Sequence, residues 1–357
     1  MKRLIALILL LFILGGAASA FWVYKDLRTP TVHSKTGQYI EIPKGSSPAT
    51  VVKKLVNEGI IKHEWPALAY LKLTGQGPRF RAGEYDFPSP ISPLSVFKKL
   101  QEGEQRLIRL TVVEGWTRWD IANAMVRIPE LKLVDADSAL KLMNDPSLIT
   151  DLDPQANNLE GYLFPATYEF PPNTSPEELV SLMVKRFREV WKPAFTVKSP
   201  EISLSPREIV TAASLIETEA KLETERPVIA SVIYNRLKLG MALGIDSSVI
   251  YASKLEGKWR NDGKVYRSDI DRRSPYNTRL YVGLPPGPIA SPGESSLKAA
   301  LNPAQTNYLY YVREPSRNDG AHNFYSNERD FGAGVQALRG WEQKRDLENA
   351  RKKAEEK

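Results

Sequence analysis

From Leu4 to Tyr24 the chain carries no charged side chain, while Lys2 and Arg3 precede this run and Lys25 follows it. An apolar stretch of that length crosses a hydrocarbon layer of about 30 Å as a helix. Ala18-Ser19-Ala20 offers the small-residue cleavage site of a secretory signal. Phe21-Trp22-Val23-Tyr24 continues the run, however, and puts aromatic rings where an interface would lie, so a retained anchor through residues 4–24 is expected. The positive N-terminal end stays in the cytoplasm, and everything after Lys25 lies outside.

The remaining chain is long enough for two or three domains: of 357 residues, 42% are hydrophobic and 25% charged, a globular balance. Cysteine is absent, which excludes disulfide frameworks, thiolate nucleophiles and cysteine metal sites. His33, His63 and His322 lie too far apart for a local metal motif. The net charge of +7 is spread without a dense basic block beside aromatics, which argues against nucleic acid and suits an anionic membrane or polymer.

Residues 26–37 read as a polar tether. Tyr39 to Pro43 reads as a strand, Ser47 or Pro48 opens a helix closed by Gly59, and further segments follow at Trp65 to Leu73 (helix), Gly83 to Phe87 (strand) and Ser95 to Leu100 (helix). Ile42-Pro43-Lys44-Gly45, then Ser47 and Val51, is echoed by Val112-Val113-Glu114-Gly115, then Thr117 and Ile121. Each copy is strand, glycine turn, hydroxyl cap, helix. The second copy resembles the opening of LysM modules, which bind glycans containing N-acetylglucosamine; a purely structural unit fits the same pattern.

Residues 130–156 are expected to be partly helical. The aromatic run Leu159 to Tyr168 suits core packing, or sugar stacking. Ser175 starts an amphipathic helix with Leu179, Leu182, Met183, Phe187 and Val190 inward.

The segment Ser205 to Ala220 reads as a helix opened by Ser205, Pro206 and a reciprocal cap from Glu208. At about 100° per residue, Ile209, Val210, Ala212, Ala213, Leu215, Ile216 and Ala220 share one broad arc, with Arg207, Thr211, Ser214 and Thr218 opposite. Glu217 and Glu219 interrupt the apolar arc. A carboxylate among apolar groups has its pKa raised and can serve as a general acid, but edge glutamates also reach solvent or pair with Arg207 or Arg226. The wheel does not choose between the two acids.

Thr224 is a possible cap for a helix running to Gly240 with Tyr234-Asn235-Arg236 in its tail, and Asp246 or Ser247 for the next one. Lys254 to Arg273 looks like a basic exposed insert. Gly283 to Gly293 is too rich in proline and glycine for regular structure and forms an extended loop. Ser295 to Leu301 reads as a helix, and Tyr308 to Val312 with His322 to Ser326 as a strand pair.

Together, Ser214-Leu215-Ile216-Glu217-Thr218-Glu219-Ala220, Ala230 to Leu237, Asp246-Ser247-Ser248-Val249-Ile250-Tyr251, Tyr276-Asn277-Thr278 and Gly283 to Gly293 resemble the membrane-anchored endolytic murein transglycosylases of the MltG/YceG family. The order of these motifs, the anchor and the LysM-like segment agree with it. In that family the helix usually reads Glu-Lys-Glu and the second glutamate is catalytic, so the resemblance implies Glu219 as the acid. Thr218 replaces the usual lysine.

The resemblance further implies that one glutamic acid protonates the bond between N-acetylmuramic acid and N-acetylglucosamine, then takes the proton of the muramic 6-hydroxyl, closing a 1,6-anhydro ring with neither water nor cofactor. Asn235, Asp246, Tyr276, Asn277 and Ser291 are candidates for holding the sugar, with His322 behind them, and no metal is implied. Peptidoglycan strands are the expected partner, with peptidoglycan synthases as possible neighbours, at a bacterial inner membrane with the catalytic part periplasmic.

The expected fold is α+β: anchor at 1–25, tether at 26–37, LysM-like domain at 38–105, mixed α+β catalytic domain built around a central helix at 106–345, and a charged tail at 346–357. A hydrolytic muramidase and a non-catalytic glycan-binding scaffold are the competing functions.

Overall fold

The computed structural model describes residues 2–103, 105–196, 198–200, 202–317 and 319–355. Its first helix, α1 (Lys2–Arg28), is long and apolar enough to cross a membrane over Leu7–Arg28. Leu9, Leu11, Phe12, Ile13 and Phe21 all project outward from it, which water does not reward.

The chain divides into two compact units, the first comprising Met1–Arg109 with Glu169–Thr174 and the second Leu110–Tyr168 with Ser175–Lys357. In the first, β1 (Ile40–Ile42) leads to α2 (Pro48–Asn57), α3 (Glu64–Thr74), β2 (Gly83–Tyr85) and α4 (Pro93–Glu102). β1 and β2 pair antiparallel, with Ile40 opposite Tyr85 and Ile42 opposite Gly83. Val52, Leu55, Tyr85, Phe87, Phe97 and Leu100 are sealed in its core, and such side chains contribute about 1.5–3 kcal/mol each on full burial.

Leu27 belongs to that same core, Asp26 binds His63, and Thr31 exchanges backbone hydrogen bonds with Ile91. The start of the expected tether is therefore packed: α1 continues four residues past Tyr24 because Leu27 has an apolar site to fill.

Next in the chain come β3 (Ile108–Thr111), α5 (Arg118–Val126), α6 (Ala136–Met143) and β4 (Thr167–Phe170), and β3 and β4 form a second two-stranded sheet. The internal repeat thus extends to four elements per copy, strand, helix, helix, strand, with the outer strands paired. Gly45 and Gly115 hold equivalent turns at φ 82° and 79°, a left-handed conformation that favours glycine. Ser47 accepts from the Thr50 N–H, and the Asp120 carboxylate accepts from the Thr117 N–H.

In the second unit, α7 (Pro176–Thr196) buries Leu179, Met183 and Phe187, but Leu182 faces outward and Val184 and Trp191 fill the face instead. Helix α8 (Pro206–Glu219) opens with the expected Ser205–Glu208 capping box and stops one residue before Ala220.

Every residue of α8 from Ile209 to Glu217 is buried, and α9 (Arg226–Lys238), α10 (Asp246–Leu255) and α12 (Glu294–Leu301) contact it. The face read as polar is covered too. Thr211 Oγ1 donates to the Arg207 carbonyl at 2.8 Å, and Ser214 Oγ donates to the Thr211 carbonyl while accepting from the Ile289 N–H. Hydroxyls satisfied by their own helix and by the Gly283–Gly293 loop are compatible with burial.

Short α11 (Arg267–Ile270) lies inside the basic segment, which is partly interior: Asp269 is buried against Ser253 and Arg272. Strands β5 (Tyr310–Arg313) and β6 (His322–Tyr325) pair antiparallel, with Tyr311 opposite Phe324 and Arg313 opposite His322. Helix α13 (Glu328–Glu355) carries the charged tail and packs on this hairpin, with Phe331 stacked on Tyr310 at 4.9 Å.

Candidate active site

Glu217 and Glu219 both sit in the last turn of α8, in different surroundings. Glu217 Oε1 accepts from Arg226 Nη2 at 2.8 Å and Oε2 from the Gly293 N–H at 2.8 Å. Arg226 in turn donates to Ser296. This acid is a buried brace between α8, α9 and the loop entering α12, the pairing with Arg226 that the sequence allowed.

Among the described residues, Glu219 has no cation in hydrogen-bond contact. Its Oε2 accepts from the Tyr311 hydroxyl at 2.8 Å, and burial holds its pKa above the usual carboxylate range. The Tyr311 hydrogen bond, which favours the charged form, works against that rise; the Asp246 charge adds to it, and His322 and Arg279 oppose it more weakly. A carboxyl whose pKa is raised in this way, at a half-buried helix end, is suited to general-acid work.

The neighbours are delivered by separate devices. Asp246 is the first residue of α10, not its cap, because Ile245 occupies that position; its Oδ1 accepts from Arg279 Nε at 2.7 Å and Nη2 at 2.6 Å. Thr278 anchors the turn before α10, accepting from the Ile245 N–H and meeting Ser248 Oγ at 2.8 Å. Thr218, on the side expected to be polar, meets Ser247 Oγ at 2.7 Å and so ties α8 to α10. His322 Nδ1 contacts Glu225 Oε2 at 2.8 Å, and its ring stands edge-on to Tyr311.

Tyr234, Asn235 and Arg236 hold the chain leading to Tyr311. Tyr234 donates to the Ala300 carbonyl, Asn235 Nδ2 to the carbonyls of Thr306 and Tyr308 at 2.9 Å each, and Arg236 Nε to the Leu309 carbonyl at 2.6 Å. Arg236 Nη1 also reaches the Leu243 carbonyl, ahead of α10. One helix tail thereby fixes both β5 and the approach to Asp246.

Of the six residues singled out in the sequence, Glu219 and Asp246 are brought within electrostatic reach of each other. Asn235 and Asn277 spend their amides on backbone carbonyls, the latter on Ile270 and Arg272. Tyr276 stacks near Tyr251 and lines a hollow of about 10 Å³ with Arg207, Glu160 and Pro288. Ser291 exchanges backbone hydrogen bonds with Gly115 and Trp116, and its Oγ is buried without a partner.

Tyr311 and Arg279 were missed. Tyr311 lay in a strand with two other tyrosines and nothing to distinguish it, while Arg279 directly follows the Tyr276-Asn277-Thr278 motif.

A second carboxyl is raised, Glu160, pushed up to about 7 by burial. It is tied to the Arg118 backbone and guanidinium and accepts from Tyr251, so it braces the interior.

Fold and site define a candidate acid catalyst on a chain with one candidate membrane span. The YceG-like family matches residues 40–337, and this chain belongs to that family. It is 37% identical to the endolytic murein transglycosylase of Bacillus subtilis over 84% of both chains. It is 28% identical to the protein of the same name from Streptococcus pneumoniae D39 over 90% of this chain, which spans 62% of that longer relative. A 2.6 Å crystal structure of a YceG-like protein from Listeria monocytogenes superposes with a TM-score of 0.54 at 32% identity, covering 84% of this chain and 99% of that one.

Proposed function

We propose that this chain is an endolytic lytic transglycosylase that cuts the β-1,4 bond between N-acetylmuramic acid and N-acetylglucosamine inside peptidoglycan strands. The observation that carries the reading is Glu219: a carboxyl with its pKa raised by burial, bound by Tyr311, at the half-buried end of a buried helix.

Glu219 protonates the leaving glycosidic oxygen. As the bond breaks, positive charge develops at the sugar, and the Asp246 carboxylate that had opposed ionisation of Glu219 now favours that charge. The Glu219 carboxylate, steadied by the Tyr311 hydroxyl, then takes the proton of the muramic 6-hydroxyl, whose oxygen closes the 1,6-anhydro ring. Glycosidases that use two carboxylates hold them about 5 to 5.5 Å apart, or farther with a water between. Here the neighbouring acid, Asp246, is ion-paired with Arg279 and serves as a fixed charge.

Asn235 acts by positioning the approach to β5 and Asn277 by holding the end of α11, rather than by touching sugar. Residues 38–105 form a LysM-like domain ahead of a catalytic domain at 106–345. Anchored through residues 4–24 at the inner membrane, with the catalytic part periplasmic, the enzyme meets nascent strands beside the synthases that make them.

The test is mass spectrometry of products from uncrosslinked strands incubated with the full-length chain in detergent. Internal fragments ending in 1,6-anhydro-muramic acid, absent with Glu219→Gln, are expected. Reducing ends would mean hydrolysis instead, and no cleavage by a folded, glycan-binding chain would mean a binding module.

A further inference from the structure

Where α1 leaves its apolar stretch, it borders a hollow of about 580 Å³ whose wall includes Trp22, Lys25, Asp26, Thr29, Lys62 and His63. A 22-residue span rises about 33 Å, slightly more than the hydrocarbon thickness, so its last turns stand at headgroup level. Trp22 stacks on the exposed Trp65 at 6.0 Å, the aromatic arrangement that membrane interfaces favour.

The charges around this hollow do not balance. Asp26 Oδ1 is bound by His63 Nδ1 at 2.6 Å. Among the described residues, neither Lys25 nor Lys62 meets a carboxylate within ion-pair distance. Lys25 and Lys62 therefore both line one hollow whose single lining acid is engaged through Oδ1, its Oδ2 being buried with no partner among the described residues, so the two cations outnumber the one carboxylate. Lysine is a compact, strongly hydrated point charge, and an unpaired pair of them in a concave wall is a site for a singly charged anion.

We propose that this hollow binds the phosphodiester of an anionic membrane phospholipid, its phosphate oxygens accepting from Lys25 and Lys62 and its acyl chains lying along the outward-facing side chains of α1. The site rests on α1 spanning a membrane but not on Glu219 or its reaction. Bound lipid would clamp α1 to α3 through Trp22 and Lys62, fixing the first unit at the membrane surface.

The full-length chain is first recovered from membranes after carbonate washing; release into the wash would overturn the span reading, and with it the lipid site. Retained protein is then examined by native mass spectrometry with phosphatidylglycerol and, separately, phosphatidylcholine. Phosphatidylglycerol is expected to persist about thirtyfold better, each lysine contributing a few-fold, and Lys25→Gln/Lys62→Gln is expected to erase the difference while glycan cleavage continues. Equal retention of the two lipids, or retention unchanged in the double variant, would overturn the site. Inorganic phosphate provides the last arm: if it alone shields Lys25 and Lys62 from acetylation as well as the lipid does, a free anion and not a headgroup is the ligand.

Discussion

Glu217 and Glu219 are the same residue type two positions apart on one helix, and their neighbours assign them different work. Glu217 is ion-paired and braced, while burial raises the pKa of Glu219 beside the Tyr311 hydroxyl. Replacing Glu219 by glutamine is expected to lower cleavage by about 10² to 10⁴, the usual weight of a positioned acid. The same change should stabilise the fold at alkaline pH. A carboxyl whose folded pKa lies above its unfolded value adds stability that is complete below the unfolded pKa and lost as pH rises through the folded one. Melting temperatures of wild type and Glu219→Gln should accordingly diverge as pH rises from acid to alkaline, the variant ending higher; parallel curves would show that Glu219 is not strained in its ionised form.

Tyr311→Phe removes a hydrogen bond that favours the charged carboxylate. The Glu219 pKa then rises further, so the alkaline limb of the kcat/KM profile should move to higher pH. The rate should fall about tenfold to a hundredfold at the optimum, the worth of a hydrogen bond to a charged group. An unmoved limb would separate Tyr311 from the proton.

At the scale of the element, α8 ends in a carboxyl whose helix is held by buried charge. Glu217→Gln leaves Arg226 facing only the half-exposed Glu114 at 3.6 Å. Breaking a buried pair from one side costs about 3–5 kcal/mol, so urea unfolding should show a large loss, the reverse of the Glu219 variant. Protein that remains folded should still cut glycan.

The tail of α9 is the second such element. Arg236→Lys cannot reach both the Leu309 and Leu243 carbonyls with one fork, and hydrogen exchange over Tyr310–Arg313 should accelerate together with a drop in kcat. Exchange unchanged with kcat reduced would instead place Arg236 in contact with sugar.

At the scale of the whole molecule, the span and the site combine into a prediction about products. With α1, a candidate membrane span, seated in a bilayer as proposed above, the enzyme reaches only strands near that surface, so cells lacking the chain should carry longer glycan strands, measurable by chromatography of released chains. Re-expression of Glu219→Gln should leave them long. Restored lengths with that variant would mean that binding, not cutting, sets them.

Much of this organisation was legible because it is local. An uncharged run of that length has one structural solution in a membrane, capping boxes and glycine turns mark helix ends within a few residues, and the Ile42 and Val112 motifs announced a repeat. What sequence could not rank was Glu217 against Glu219: the wheel records direction from one axis, while burial depends on what other segments bring to that side. Thr211 and Ser214 looked solvent-facing until the Gly283–Gly293 loop closed over them, the backbone carbonyls that take the Asn235 and Asn277 amides were not legible, and Tyr311 looked like any strand tyrosine. The sequence by itself determined the long apolar helix, the helix ends and the duplicated turn, because each depends on residues close together in the chain. Only the tertiary structure decided which acid is braced by a cation and which has its pKa raised by burial, because desolvation and charge act between residues far apart in the chain and close together in space.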